Sequence, residues 1–172
     1  MAWTNPNTVH TPTTGNVIPA SWGTMVNQNL LHLRNSPETA SAVRSTTQTI
    51  NNETITAVSF TTELWDNANM WQSPNPTRFR SPVGGRYLFI AFVSFQANAT
   101  GQRIVYLRSS RGGGDMFGIQ RQDAATSGTT VLCCAGIVSL PAGEYVEVCV
   151  YQNSGGPLGV NEARAALIRL GG

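Results

Sequence analysis

Side chains that could support catalysis are few in this chain of 172 residues. Its two histidines, His10 and His32, both lie near the N-terminus, which leaves the later part of the chain without a nucleophile–histidine arrangement. Glu63 and Asp66 are close enough in sequence to suggest an acid–base pair. Even so, we expect no catalytic residue and no enzymatic activity, because Asp66 also belongs to the motif of residues 60–89 described below. An enzyme acting on cell-surface polysaccharide is therefore the disfavoured interpretation.

The cysteines Cys133, Cys134 and Cys149 lack the Cys-x-x-Cys spacing and the neighbouring histidines of a zinc site. Cys133 and Cys134 point to opposite faces if they lie on a strand, so they do not bridge each other easily. A disulfide between either of them and Cys149 requires that their strands pair. We expect three unbridged thiols, a reducing compartment, and neither a metal nor a cofactor.

The composition excludes several kinds of partner. Charged residues make up 12% of the chain and the net charge is +2, which predicts no attraction to nucleic acid or to a membrane. So few charges suit a surface that is largely covered in an assembly. The first residues lack the basic start and apolar core of a signal peptide, and no apolar stretch is long enough to cross a bilayer. We therefore expect assembly in a cytoplasm.

The N-terminal segment, residues 1–37, reads as an arm followed by a helix. Residues 1–15 are rich in Thr, Asn and Pro, show no periodicity and contain one large apolar side chain, Trp3. After Pro19, apolar residues recur at the spacing of an amphipathic helix of about four turns. They are Trp22, Met25, Val26, Leu30 and Leu33. This helix either caps the chain's own core or mediates assembly, and we favour assembly.

From residue 38 to residue 172 the pattern is that of an all-β domain. Short runs rich in Val, Ile, Thr and aromatic residues alternate with turn signals every eight to twelve residues or so. They predict about ten strands in a two-sheet sandwich or jelly roll. The predicted runs are residues 40–49, 54–61, 77–81, 86–96, 102–109, 115–121, 129–140, 144–152 and 161–170.

Three of these runs, residues 86–96, 129–140 and 161–170, are apolar on both faces, whereas residues 144–152 have one apolar and one polar face. A strand that is apolar on both faces must be covered on both. The chain has few helices to spare, so we expect one cover to be the core and the other to be another copy of the chain. The predicted interface residues are Leu88, Ile90, Phe92, Leu132 and Ile168.

A motif of aromatic residues, aspartate and glycine extends from residue 60 to residue 89. Its members are Phe60, Asp66, Trp71, Phe79, Gly85, Tyr87 and Phe89. This spacing resembles the signature of the complement-1q globular head, a relative of the tumour-necrosis-factor jelly roll, with one extra residue before Phe79 and Ala91 in place of the last aromatic. The stretch from Leu140, LPAGEYVEVCVYQ, resembles a later strand of the same family. The resemblance implies a structural role for Asp66 and a homotrimer in which the two-faced strands surround a threefold axis.

The N-terminal stretch carries a second resemblance. Trp-Thr-x-Pro at the start, the run Val-Ile-Pro-Ala-Ser-Trp-Gly and the following helix are similar to the N-termini of small structural proteins of tailed bacteriophages. This resemblance covers residues 1–35 and implies a virion protein, located at either the head or the tail. We expect Trp3, Trp22, Val26 and Leu30 to anchor the chain to the major capsid protein or to another virion protein.

Together these patterns predict a trimeric protein of the virion surface. The first interpretation is a head decoration protein or short head fibre, and the alternative is a tail-tip or tail-fibre protein that binds a receptor on the host cell. The two differ in position, because a decoration protein covers heads in many copies and a receptor-binding protein lies at the tail.

Overall fold

A computed structural model describes residues 20–35 and 37–171 of the chain. The chain divides into two units, Met1–Pro37 and Glu38–Gly172. The described part of the first unit is one α-helix, α1 (Ala20–Asn35). Pro37, which has no backbone N–H to donate, follows the end of this helix and precedes the first strand.

The second unit is built from strands and one short 3₁₀ helix (Arg111–Gly113). The strands are β1 (Thr39–Arg44), β2 (Gln48–Ile50), β3 (Thr56–Ala57), β4 (Thr62–Asp66), β5 (Arg78–Arg80), β6 (Gly85–Phe95), β7 (Gln102–Ser109), β8 (Met116–Asp123), β9 (Thr130–Leu140), β10 (Tyr145–Gln152) and β11 (Leu158–Gly171).

These strands form two antiparallel sheets. Sheet A has the order β4-β1-β11-β6-β9, with β2 also paired to β11, and sheet B has the order β3-β10-β7-β8, with β5 also paired to β10. Neighbours in each sheet are often far apart in sequence, as in a jelly roll. The predicted all-β, two-sheet architecture with a preceding helix is therefore confirmed, with eleven strands where about ten were expected.

The core lies between the two sheets and is dominated by alternate residues of the longest strands. In β6 the odd-numbered side chains, from Tyr87 to Phe95, are buried, and each large one stabilises the fold by roughly 1.5–3 kcal/mol. Val146, Val148 and Val150 of β10 face them from sheet B. Phe79 packs edge-on against Phe60, with ring centroids 5.4 Å apart.

The strand boundaries near the start of this unit differ from the sequence-based prediction. The predicted run 40–49 is interrupted by a turn and forms two strands, because the Arg44 guanidinium donates to the carbonyl oxygens of Thr47 and Ser59. Of the predicted run 54–61 only Thr56–Ala57 pairs as a strand. Strand β4 was not predicted, since its exposed edge position leaves no clear apolar alternation.

Candidate subunit interface and N-terminal helix

The outward face of sheet A is a candidate functional surface of the strand unit. Antiparallel pairing sets side chains of β11, β6 and β9 beside one another on this face. One row across the three strands is Ile168, Leu88 and Ile137, and the next is Ala166, Ile90 and Ala135. A third row is Arg164, Phe92 and Cys133.

In a single chain much of this face is open to solvent. Ile90 is 43% exposed, Val131 49%, Leu170 54% and Ile137 63%. Apolar side chains scattered singly over a surface are ordinary, but these lie on adjacent strands of one sheet. Such a contiguous apolar area is typical of an interface between proteins.

The structure places four of the five predicted interface residues on this face. Leu88, Phe92 and Ile168 are half-buried there, and Ile90 is exposed. The prediction for Leu132 was wrong, because this side chain is fully buried on the core side of β9, where its strand pairs Leu132 with the buried Val93. The outward residues of β9 are its odd-numbered ones instead.

Sequence reasoning missed Val131 and Ile137, since both faces of β9 are apolar and periodicity alone does not say which one points inward. The structure resolves this ambiguity at Gly136. A Cβ atom there would lie 2.5 Å from Cδ2 of Phe117, so Phe117 fills the core at this even-numbered position. The clash assigns the even-numbered residues of β9 to the core.

Charged residues mark one margin of the apolar face. On β11, Arg164 pairs with Phe92 and Glu162 pairs with Ser94, and both charged side chains are exposed. Trp65 on the edge strand β4 is 52% exposed. An apolar centre with polar margins is the usual composition of a protein–protein interface.

The helix α1 presents its own exposed apolar side chains. Trp22 is 41% exposed and Leu30 is 59% exposed, and Val26 between them is half-buried. Leu31, which was not predicted, is 39% exposed. Trp3, the remaining predicted anchor, and the predicted arm lie outside the described residues.

Asp66, one of the residues considered for catalysis, stabilises the local backbone. The Asp66 carboxylate accepts hydrogen bonds from the backbone N–H groups of Ala68 at 3.0 Å and Trp71 at 2.8 Å, so it holds the turn that follows β4. His10 lies outside the described residues. Within the described part of the chain, no three His, Cys, Asp or Glu side chains are grouped so as to hold a metal ion.

The three cysteines differ in environment. Cys133 is exposed on the outward face of sheet A, Cys134 is buried next to it, and Cys149 is buried in sheet B. Burial raises the pKa of the Cys134 thiol to about 12, and burial raises the pKa of Cys149 to about 11. Thiols with such high pKa values are weak nucleophiles at neutral pH.

In the described residues no helix is long and apolar enough to cross a membrane.

Comparison with solved structures identifies the fold. The chain is similar to the globular domain of zebrafish complement 1qA, with a TM-score of 0.60 and 18% identity over 77% of this chain and 97% of that one. It is similar to the Eiger tumour necrosis factor of S. frugiperda, with a TM-score of 0.58 and 12% identity over 78% of this chain and 93% of that one. It is also similar to murine APRIL, with a TM-score of 0.59 and 12% identity over 77% of this chain and 100% of that one. No protein-family model matches the sequence, and neither does any curated protein.

These similarities define the class of the strand unit. It is a jelly roll of the complement-1q and tumour-necrosis-factor type, as the motif between Phe60 and Phe89 predicted. The identities are low, so the likeness concerns the fold, and the chain's role must be argued from its own surfaces.

Proposed function

We propose that this chain is a non-enzymatic structural protein of a bacteriophage virion. It is a homotrimer on the virion surface, anchored through its N-terminal arm and helix, and it serves as a head decoration protein or short head fibre. It assembles in the host cytoplasm, its partners are two further copies of itself and the major capsid protein, and it needs no cofactor.

The observation that carries the proposal is the outward apolar face of sheet A. Ile90 and Ile137 lie on neighbouring strands of this face, are 43% and 63% exposed, and have no covering element in the described chain. Obligate interfaces between identical chains resemble a core cut in two, and this face has that composition. Three copies packed around an axis would remove these side chains from water and gain the free energy of their burial.

The virion role rests on the N-terminal segment. Its resemblance to the N-termini of tailed-bacteriophage structural proteins covers residues 1–35, and the described helix presents the large side chains of Trp22 and Leu30 to solvent. Large apolar groups on a short helix contribute more by filling pockets of a preformed surface than by packing on the helix itself. Three arms on one trimer would attach with avidity.

Imaging of the parent particle tests the role directly. We expect electron cryo-microscopy with this protein labelled to find it in many copies over DNA-filled heads. Label restricted to the tail tip, together with binding to host cells, would replace head decoration by receptor binding. Absence of the protein from particles would refute the virion role.

Sedimentation tests the assembly separately. The native protein at micromolar concentration and neutral pH should sediment with the mass of three chains, and a monomeric mass would refute the proposed trimer.

A further inference from the structure

The outward face of sheet B carries a group of arginines that the proposed assembly does not use. In β5 the side chain of Phe79 is buried in the core, so Arg78 and Arg80 on either side of it point outward. Register places Arg78 beside Glu147 and Arg80 beside Tyr145 on β10, and Arg108 of β7 pairs with Glu147 from the other side. The arginines of two strands therefore flank one carboxylate on the strand between them.

Glu147 holds two of these guanidinium groups in place. Its side chain is only 7% exposed, and its Oε2 atom lies 2.7 Å from an Nη atom of Arg108. Its Oε1 atom accepts a hydrogen bond from the Thr77 hydroxyl at 2.8 Å and lies 3.5 Å from Nε of Arg78. A buried carboxylate bonded on both oxygens fixes the arginines around it, so they are arranged before any ligand arrives.

An aromatic ring supports the same group. The guanidinium of Arg78 lies over the ring of Tyr145, 4.2 Å from the ring centroid, which restrains its plane. The side chains of Arg78 and Arg108 are nevertheless 41% and 38% exposed, and Arg80 is exposed. Among the described residues, none hydrogen-bonds to the terminal nitrogens of Arg78 or to the side chain of Arg80. Donors that are held in place yet open to solvent suit an incoming anion.

We propose that Arg78 and Arg108, positioned by Glu147 and Tyr145, form together with the neighbouring Arg80 a binding site for the carboxylate groups of an acidic polysaccharide. The planar fork of a guanidinium matches a carboxylate with two parallel hydrogen bonds. Three arginines against one glutamate give this group a net charge of +2, which equals the net charge of the whole chain.

The small extent of the group favours a polysaccharide over nucleic acid. A duplex carries a negative charge about every 1.7 Å along its axis and is matched by a long basic stripe. Sheet B offers one compact group instead, and the partly exposed Tyr151 further along the same face of β10 is a neutral phenol that can hydrogen-bond to sugar hydroxyls. An acidic peptide is the competing ligand, and it enters the experiment as a separate probe.

Binding of the full-length protein to polygalacturonate, measured by titration calorimetry at low ionic strength, tests the site. Neutral dextran, poly-glutamate and single-stranded DNA are the comparison probes. Arg80→Gln should weaken binding at least about tenfold, as expected for loss of hydrogen bonds between charged groups, and Arg78→Gln should do the same. Arg121→Gln is the matched control, because Arg121 is an exposed arginine of β8 in the same sheet, outside the group. It should leave the affinity within about twofold of the original value.

Glu147→Gln distinguishes a built site from simple attraction between opposite charges. The substitution removes one negative charge, so diffuse attraction predicts tighter binding to polygalacturonate. Loss of the carboxylate that fixes Arg78 and Arg108 predicts weaker binding instead. We expect weaker binding, with folding of the variant checked by its thermal melt. If the variant does not fold, Arg80→Gln decides the question, since that side chain has no bonded partner in the described chain.

Five results would overturn the proposal. The first three are no binding of polygalacturonate by the original protein, equal binding of dextran, and tighter binding of poly-glutamate or DNA. The other two are an Arg121→Gln variant weakened as much as Arg80→Gln, and a folded Glu147→Gln variant that binds polygalacturonate more tightly than the original protein. These outcomes are independent of the proposed virion role, because the probes contain no virion component and the site lies on the sheet opposite the proposed subunit interface.

Discussion

Arg103 shows how a single polar residue organises one end of the jelly roll. Among the residues that the structure describes it is the largest fully buried side chain, and its guanidinium donates to the carbonyl oxygens of Asn98, Thr100 and Gln102. No carboxylate pairs with it among the described residues, and burial lowers its pKa. Carbonyl groups thus take the place of a counter-ion and shape the loop between β6 and β7.

Arg103→Met should lower the free energy of unfolding by at least about 2 kcal/mol, because three carbonyl oxygens lose their donor. Chemical denaturation measures the change. Arg121→Met on β8 is the control and should change stability by less than about 0.5 kcal/mol, since Arg121 is exposed. Equal effects of the two substitutions would show that the hydrogen bonds of Arg103 contribute nothing.

The cysteines are predicted to be unbridged. Cys149 lies in the other sheet from Cys133 and Cys134, so strand pairing does not bring it next to either. Thiol counting in denaturant without reductant should find three thiols per chain. In the proposed trimer all three should react slowly, because Cys134 and Cys149 are buried and Cys133 lies on the apolar face proposed to be covered. A count of one would reveal a disulfide and contradict the expected reducing compartment.

Buried thiols also predict alkaline sensitivity. Burial raises the pKa of Cys134 from an ordinary value of 9.0 to about 12, so the folded chain keeps this proton when the unfolded chain has lost it. The resulting stabilisation is complete below about pH 9 and is lost as the pH rises towards 12. The free energy of unfolding should therefore fall above about pH 9. Cys134→Ala should reduce this slope, and an unchanged slope would assign it to other groups such as Tyr106, whose pKa burial raises to about 12.

At the scale of elements, β6 and β9 separate a core face from the face that we propose for assembly. Ile90→Asp, Phe92→Asp and Ile137→Asp should each weaken trimer association at least about a hundredfold while the single chain stays folded, because each would bury a charge. Sedimentation at a series of concentrations measures this. Ile119→Asp is the control, because Ile119 is 58% exposed on β8 of the other sheet. Normal trimers from all three face variants would mean that another surface forms the interface.

For Leu132 on β9 we expect the opposite effect, a loss of stability without a selective loss of association. This side chain is fully buried against the core, so Leu132→Ala should lower the free energy of unfolding by about 2–5 kcal/mol. It should do so without a selective loss of association. Selective dissociation with unchanged stability would place Leu132 at the interface after all. Thermal melts and sedimentation on the same sample separate the two effects.

At the scale of the whole molecule, we expect the N-terminal unit to attach the protein to the virion and the strand unit to fold without it. The first residue of the strand unit, Glu38, is bonded to β11. Its carbonyl oxygen accepts the Arg169 backbone N–H at 2.9 Å, and the two side chains form an ion pair at 3.4 Å. A chain starting at Pro37 keeps both contacts and should fold and trimerise without attaching to particles. Trp22→Ala in the full chain should weaken attachment more than stability.

A thermal melt and a particle-binding assay on the shortened protein check this division of roles. Failure to fold would show that the helix belongs to the core of the strand unit. Retained attachment would show that the jelly roll itself docks on the virion.

The sequence alone determined the features that depend on residues close together in the chain. Alternation along β6 assigned Tyr87 and Phe89 to one face and Ile90 and Phe92 to the other, and apolar spacing after Pro19 predicted the helix, because strand and helix geometry repeat over a few residues. The motif between Phe60 and Phe89 predicted the jelly roll.

Only the tertiary structure decided what depends on pairing between distant segments. Both faces of β9 are apolar, so its pairing with β6 and the packing of Phe117 against Gly136 were needed to place Leu132 in the core. Thr77 and Glu147 are 70 residues apart in the chain, and no local pattern marks them as neighbours of one site. Which strands pair is set by the summed burial of side chains across the whole sheet, and a local pattern does not contain that sum.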